Sequence, residues 1–571
     1  VWRRRTGQIV LPFDHAQGRS GRGWRLLLDG AQSLQPLLLA LAILILAGPR
    51  RCSEPKTQRV LTNIEFCLAV SGSRRADDHD RASGGCESLG PHLPTTRRSW
   101  IAARGLARVE LRSGVATITA LDPAGLPILD AIAERQDAQR EGETLTIDAH
   151  EPASTEHLSD AERLAAPSSL DILRLLAGLL ADTEPAPLPP GIFGAFAHDL
   201  VDRFDALPPR KPDPLGDPDA SFVLATDLVL YDHGTNHAHV VTRGLPMEPV
   251  GAADKRHAEV LELLRGEQDV LGQLPPALSF EPDEHAVDDP ADFLAGVAAL
   301  RDNIHAGDVF QAVLARRFEL RGPADDLAVY RELRRRNPSP YHFHLNLGKG
   351  SLFGASPETF LRVEDGVVEI RPIAGTVPRG FAADGSINPD TDRRLALQLL
   401  LDPKEQAEHA MLLDLARNDV ARISEPGSMH TTEQFQIEKY SHVQHLMSRV
   451  KGDLSAGHDA LHAYRAVANM GTLTGAPKLR AIELVRELEP TSRGFYGGAA
   501  GFLLADGSFD SCIVIRSLRQ VGGTYSTSAG AGVVHDSTPE RELAETSHKA
   551  RSSIEAVLAA GNSTTTRGDG A

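Results

Sequence analysis

The sequence predicts an α+β fold. Strand-like runs fold back on short Ser-Gly or Asp-His-Gly turns, helical stretches carry leucines three and four apart, and apolar runs late in the chain end in glycine. At 571 residues the chain exceeds one compact core and suggests two domains or one elaborate one. A stretch rich in proline and acid, Pro275 to Asp289, marks the boundary between an amino-terminal region and a larger carboxy-terminal one.

From Arg98 onward the elements follow in order. Arg108 to Thr119 alternates apolar residues about Ser-Gly, as a hairpin does. Ser168 to Ala181 has helical periodicity, and Pro189-Pro190-Gly191 punctuates before GIFGAFAHDLV. Ser221 to Val241 holds two strands around Asp232-His233-Gly234, and Arg256 to Leu274 reads as a helix. Beyond the boundary, Asp292 to Ala306 is helical, Val309 to Leu320 alternates as a strand, and Ser351 to Arg379 reads as a strand pair. Asp402 to Ile423 is a strong helix, and Ala460 to Ala468 another with Asp459 as N-cap. Pro477 to Leu488 starts with proline in a first-turn position. The final helix starts at Ser537, with Glu540 three residues on as a capping box. The domain organisation expected is an atypical extension over 1–97, largely disordered, then 98–275, a linker over 276–290, a catalytic region over 291–560, and a disordered tail over 561–571.

Composition narrows the function. The hydrophobic fraction of 41% is that of a soluble globular protein, and the formal net charge is −17 with scattered basic residues. That balance argues against nucleic acid or an anionic membrane surface as partner. The four cysteines, Cys52, Cys67, Cys86 and Cys512, form no CxxC pair and no zinc spacing, which suits a reducing cytosol. All three tryptophans and three of the cysteines precede Ile101. The apolar run Leu37 to Ala47 after an arginine-rich start reads either as a signal peptide or as upstream sequence translated from a wrong start codon. We adopt the second.

Several residues invite chemistry. Glu405 and Glu408 sit one turn apart on one helix and Glu545 lies on the last helix, so carboxylates from two helices are available for one magnesium. The plainer reading is a favourable charge at a helix start and a Glu545–Lys549 surface pair. Arg516 ends the apolar run SCIVIR and needs a counter-anion, either a substrate carboxylate or a structural Asp or Glu. Gly530-Ala531-Gly532 permits close approach of a ligand to backbone, or makes a bulge. Glu358 follows a proline at a strand end and suits a general acid if burial raises its pKa; His445 suits an acid or base, or is a satisfied histidine on a helix face.

GASPE, PIAGT, KEQAEHAMLLDLARND, YSHVQHL, MGTLTGAPKLRA, FYGGAAGF, DSCIVIRS and AGAGVVHDSTPERELAET occur together in one order. That ordered set resembles the chorismate-utilising enzymes, and among them the large subunits of anthranilate synthase of the enterobacterial type. The likeness is close from about Ala295 to Ala560 and looser back to Arg98. It implies large β-sheets packed on each other and flanked by helices, with an amino-terminal regulatory region. It also implies the reaction of chorismate with ammonia to anthranilate and pyruvate, a lyase step of tryptophan biosynthesis. By the resemblance Glu408 and Glu545 match magnesium ligands. Gly375, Thr376, Tyr496, Arg516, Gly530, Ala531 and Gly532 match the substrate site, Glu358 the acid for the departing C4 hydroxyl, and His445 the histidine linked to pyruvate loss. Gln311 stands where water-using relatives carry a lysine, and Ala374 where aminodeoxychorismate synthases carry one, which leaves ammonia as nucleophile.

The resemblance also implies a separate glutamine amidotransferase subunit in a heterotetramer, since no G-x-C-x-G-x-Q elbow occurs in the sequence, and a cytoplasmic location. Its tryptophan-feedback segment N-P-S-P-Y is present as Pro338, Ser339 and Pro340 within Asn337 to Tyr341, whereas the amino-terminal Leu-Leu-Glu-Ser is reduced to Glu87-Ser88. An enzyme that stops at 2-amino-2-deoxyisochorismate shares nearly all these motifs, and a silent chorismate-binding subunit is argued against by the intact Glu358, Glu408, His445 and Glu545.

Overall fold

The computed structural model describes residues 64–70, 96–148, 158–180, 189–232, 237–245, 251–264, 280–323, 325–382, 385–440 and 443–565. The run Leu37 to Ala47, residues Glu87-Ser88, the Asp-His-Gly turn beyond Asp232 and the first five residues of Pro275 to Asp289 lie outside these residues, as does the end of the helix expected to reach Leu274. Among the described residues no helix is long and apolar enough to cross a membrane.

The strands join antiparallel into one continuous network. One arm runs from Gln311–Arg321 through Thr524–Val533, Ser517–Val521 and Ser351–Ser356 to Tyr341–Asn346. Ile64–Val70, inside the segment expected to be a disordered extension, bonds to that last strand and to Thr96–Arg112. Thr96–Arg112 pairs with Ala220–Asp232 through three register shifts, which bend both long strands. From there the second arm passes through Gly191–Phe196, Ala499–Leu504, Phe509–Ile513, Thr359–Glu364 and Val367–Ile370 to Val443–Asp453. Strands from before and after the proline-rich boundary therefore share hydrogen bonds, as Gly191–Phe196 does with Ala499–Leu504.

The arms face each other across a buried apolar layer. Phe343 and Leu345 of the first meet Trp100, Phe193, Phe502 and Cys512. Trp100 and Phe193 stand 5.4 and 5.7 Å from the Phe502 ring, a spacing typical of tilted aromatic pairs. Helices cover the outer faces. Asp326–Arg336 and Pro539–Thr565 bury Tyr330, Leu333, Ile554 and Val557 against Phe318, Phe353 and Tyr525. Pro403–Ala421 and Ala460–Val467 bury Leu413, Ala416 and Tyr464 against Phe360, Val368 and Val450. The result is the sheet-on-sheet arrangement flanked by helices that the resemblance implies.

Local signals place most elements. The hairpin turn falls on Ser113 and Gly114, both at positive φ, where glycine is tolerated without strain. Asp402 caps Pro403–Ala421 by accepting from Lys404 and Glu405 N–H at 2.9 and 3.2 Å. Asp459 caps Ala460–Val467 as expected. Three expectations differ. Ser351 to Arg379 contains four strands rather than a pair, because turns at Pro357, Asp365-Gly366 and Arg371-Pro372 interrupt it. His445 lies on the strand Val443–Asp453, not on a helix. The last helix begins at Pro539, and the Ser537 hydroxyl accepts from Val534 N–H instead of starting a capping box.

Candidate active site

The sequence-flagged residues converge where the first arm's strand ends meet the second arm's outermost strands. Ile373–Pro378 pairs with Val443–Asp453 so that Thr376 opposes His445, and the register skips between Ala374 and Thr376. The extra residue is Gly375, at φ 61°. A Cβ there would lie 2.6 Å from Leu399 Cδ1 and 2.7 Å from Glu405 Oε2, side-chain ends that would have to shift, and the positive φ favours glycine at the bulge. His445 Nδ1 is 2.9 Å from Thr376 Oγ1, and its ring meets Tyr440 edge-on at 5.4 Å. Burial lowers the imidazole pKa to about 4, assisted by Arg516, so the ring is neutral at pH 7.

Glu358 follows the strand Ser351–Ser356 and is buried. Burial pushes its carboxyl up to about 8, against the opposing pull of Thr472 and the Lys549 charge. Its Oε1 has no hydrogen-bond partner among the described residues. A buried carboxylic acid protonated at neutral pH, with one oxygen unpartnered among the described residues, suits proton donation.

Arg516 sits just after Phe509–Ile513, in the connection to the next strand, at φ 52°. Its Nη1 donates to the Lys549 carbonyl at 3.1 Å, and among the described residues no carboxylate lies within ion-pair distance of it. Burial lowers its pKa; Tyr496 and Glu545 act the other way. A buried guanidinium without a carboxylate favours the substrate-anion reading over the structural one.

Gly530 and Gly532 line one face of Thr524–Val533. A Cβ at Gly530 would lie 2.9 Å from the Tyr496 hydroxyl, and one at Gly532 3.3 Å from Gln311 Nε2. The two glycines thus keep the floor between Tyr496 and Gln311 open. Gln311 is buried, with Oε1 unpartnered. Ala531 points the opposite way, into the apolar cluster with Val297 and Leu314, so its backbone alone is available to a ligand.

The acidic mouth comes from two helices. Burial raises the Glu408 pKa, and the Glu405 and Glu545 charges raise it further. Glu408 makes no hydrogen bond or ion pair with a described residue, whereas Glu545 pairs with Lys549 at 2.6 Å. Among the described residues no three Asp, Glu, His or Cys side chains form a metal cage. A carboxylate on each of two helices still fits magnesium, which takes one or two from protein and completes its shell with water and substrate oxygen.

Lys549 links these parts: its Nζ also donates to the Gly530 carbonyl at 2.9 Å. The sequence shows it only as an i+4 partner of Glu545; its reach across to the glycine strand depends on how the last helix packs. Thr472, near Glu358, lies in the motif MGTLTGAPKLRA but is not singled out by the sequence. Pro338, Ser339 and Pro340 lie elsewhere, on the connection before Tyr341–Asn346, where Ser339 Oγ donates to the Ala355 carbonyl at 3.0 Å. Ser88, the other half of the expected feedback site, lies outside the described residues.

Residues 129–555 match the model of the chorismate binding enzyme family. Anthranilate synthase component 1 of Vibrio cholerae is 41% identical over 468 residues, 81% of this chain and 88% of that protein. The chain belongs to the anthranilate synthase component 1 family. The component 1 of Escherichia coli is 41% identical over 71% of this chain and 77% of its own length. The crystal structure of anthranilate synthase component I from Streptococcus pneumoniae superposes with a TM-score of 0.66 at 30% identity, over 83% of this chain and 95% of that one. The menaquinone-specific isochorismate synthase of Escherichia coli, at 18% identity and a TM-score of 0.54, shares the fold. In this chain Glu358 and Arg516 both adjoin Lys549, and His445 adjoins Arg516.

Proposed function

We propose that the chain is the large subunit of an anthranilate synthase, converting chorismate and ammonia to anthranilate, pyruvate and water in tryptophan biosynthesis. The observation that carries this reading is the presence, in one buried cluster, of a carboxyl group held protonated and a guanidinium with no carboxylate partner among the described residues.

In this reading Arg516 takes a substrate carboxylate. Glu358 gives its proton to the C4 hydroxyl, which leaves as water while ammonia adds at C2. Gln311, a poor base, leaves ammonia rather than activated water as the nucleophile. The product of that half-reaction is 2-amino-2-deoxyisochorismate. Neutral His445 is free to take the C2 proton as the C3–O bond breaks, pyruvate departs and the ring becomes aromatic. Glu408 and Glu545 would hold magnesium, which when bound neutralises the ring carboxylate of chorismate.

The proposal extends to a separate glutaminase subunit that supplies ammonia, assembled as a heterotetramer in the cytoplasm. It also includes tryptophan feedback through Pro338, Ser339 and Pro340 with Ser88. The Ser339–Ala355 bond supports that coupling, because Ala355 is three residues from Glu358 on the same chain segment. Incubation with chorismate, magnesium and ammonium salt should produce anthranilate fluorescence, and glutamine alone should not replace ammonium. Chorismate left unconsumed would sink the reading. Conversion to aminodeoxyisochorismate alone would replace it with an aminating enzyme.

A further inference from the structure

We propose that Asp392 is a positioning residue: it ties the exit of the strand that carries Thr376 to the strand His430–Lys439, which pairs with His445's strand, and so sets the geometry of the pyruvate-eliminating pair. This rests on the assignment of His445 in the proposed function.

Asp392 lies in the first turn of Pro389–Leu401, a helix whose Asn388 cap accepts from the Asp390 and Thr391 N–H groups. Its side chain is almost fully buried, at 5% exposure, yet it is a charge. Three chain segments meet on it. From the exit of Ile373–Pro378, Arg379 approaches with Nε at 2.7 Å from Oδ1 and Nη2 at 3.1 Å from Oδ2. The Gly380 N–H donates to Oδ1 at 3.0 Å. From the strand His430–Lys439, Lys439 Nζ donates to Oδ2 at 2.8 Å. The same pair of cations and the amide hold the carboxyl well below the usual carboxylate range.

The clamp closes the open end of the strand pair that bears the site. In register, Thr376 opposes His445, Val377 opposes Gln444 and Pro378 opposes Val443. Arg379 is the next residue beyond, and its Nη1 donates to the Tyr440 carbonyl at 2.5 Å. Tyr440 is the residue whose ring packs edge-on against His445. Buried Gln444, the neighbour of His445, donates to the carbonyls of Asp392 and Pro378 at 3.2 and 3.3 Å. A Cβ at Gly380 would lie 2.2 Å from Asp392 N, so the strand exit is pressed directly onto the helix start. Asp392 touches no reacting group, but it is the common partner of the segments on both sides of the Thr376–His445 contact. Losing it leaves two cations facing each other without an anion where these segments meet, and small misplacements of reacting groups lower rates steeply.

The test compares wild type, Asp392→Asn and Lys439→Met, in ammonium salt with chorismate. Lys439→Met removes only the half-exposed contact and leaves the Arg379 pair, so it decides the matter if Asp392→Asn does not fold. Each reaction is followed for chorismate consumed, aminodeoxyisochorismate and anthranilate. The expected result is a fall in anthranilate formed per chorismate consumed, roughly tenfold or more for Asp392→Asn and smaller for Lys439→Met, with aminodeoxyisochorismate accumulating and chorismate KM little changed. Asp392→Glu should restore part of the ratio. A purely structural role would slow both half-reactions equally, so a folded variant with an unchanged ratio overturns the proposal. A wild-type enzyme that makes neither product from chorismate would instead overturn the proposed function.

Discussion

Replacing Glu358 by glutamine should stabilise the protein and disable it at once. The carboxyl is raised from 4.5 to about 8, chiefly by burial. Ionising it in the fold is therefore harder than in the unfolded chain by about 5 kcal/mol at 1.36 kcal/mol per pH unit. The sign follows from linkage. Between pH 4.5 and 8 the folded state keeps a proton that the unfolded state has lost, so stability falls as pH rises through this window. At pH 7 the penalty is about 3 kcal/mol, and an isosteric glutamine avoids it. Glu358→Gln should thus melt at nearly the wild-type temperature near pH 4.5, and several degrees higher at pH 7 and above. Its amination of chorismate should fall by about 10² to 10⁴ for loss of a general acid. Wild-type activity should decline as pH rises through 8, where the donor ionises. Thermal melts of both proteins from pH 5 to 8.5, beside chorismate consumption, provide the check. A melting difference that does not grow with pH would refute the buried-acid argument, even if activity were lost.

Other substitutions separate the remaining parts of the site. Arg516→Met should raise chorismate KM or abolish turnover, with a loss of about 2–5 kcal/mol in kcat/KM, because it removes the unpartnered guanidinium; an unchanged kcat/KM would rule out its role as anion anchor. Glu408→Ala should shift the magnesium dependence of activity to much higher concentration while leaving the fold intact, and a normal magnesium titration would return Glu408 to a helix-start charge. His445→Met should consume chorismate yet accumulate aminodeoxyisochorismate; equal loss of both half-reactions would make it a packing contact. Gly375→Ala meets atoms at 2.6 and 2.7 Å at positive φ, so it should lower stability by about 1–3 kcal/mol and distort the Thr376–His445 contact. A wild-type melting temperature and turnover in that variant would show that the bulge relaxes freely.

Much of the fold was legible because its signals are local. Ser113-Gly114 and Asp402-Pro403 act through backbone conformation and hydrogen bonds within a few residues, which any reader of the sequence can inspect. The Ser351–Arg379 region was read too coarsely because three turns in 29 residues leave strands of four to six residues, too short for periodicity to separate. The alternatives at His445 stay open in the sequence because YSHVQHLMSRV mixes polar and apolar residues on both faces of a strand buried on both sides, so the alternation that marks a half-exposed strand is missing.

By itself the sequence determined the family, through an ordered set of motifs, and with it the residue types that the proposed function assigns to chorismate. It also determined several helix caps, Asp402 and Asp459 among them. Only the tertiary structure decided what those residue types do. Glu358 becomes an acid at neutral pH because burial withholds water from its charge, a property of the packed strands around it and not of the letters GASPE. Arg516 becomes a site for an anion because no described carboxylate folds against it, and Ala531 is turned away from that site by strand alternation. Lys549 and Asp392 carry no motif of their own; their contacts join residues far apart in the chain, and such distances close only when the arms and helices pack.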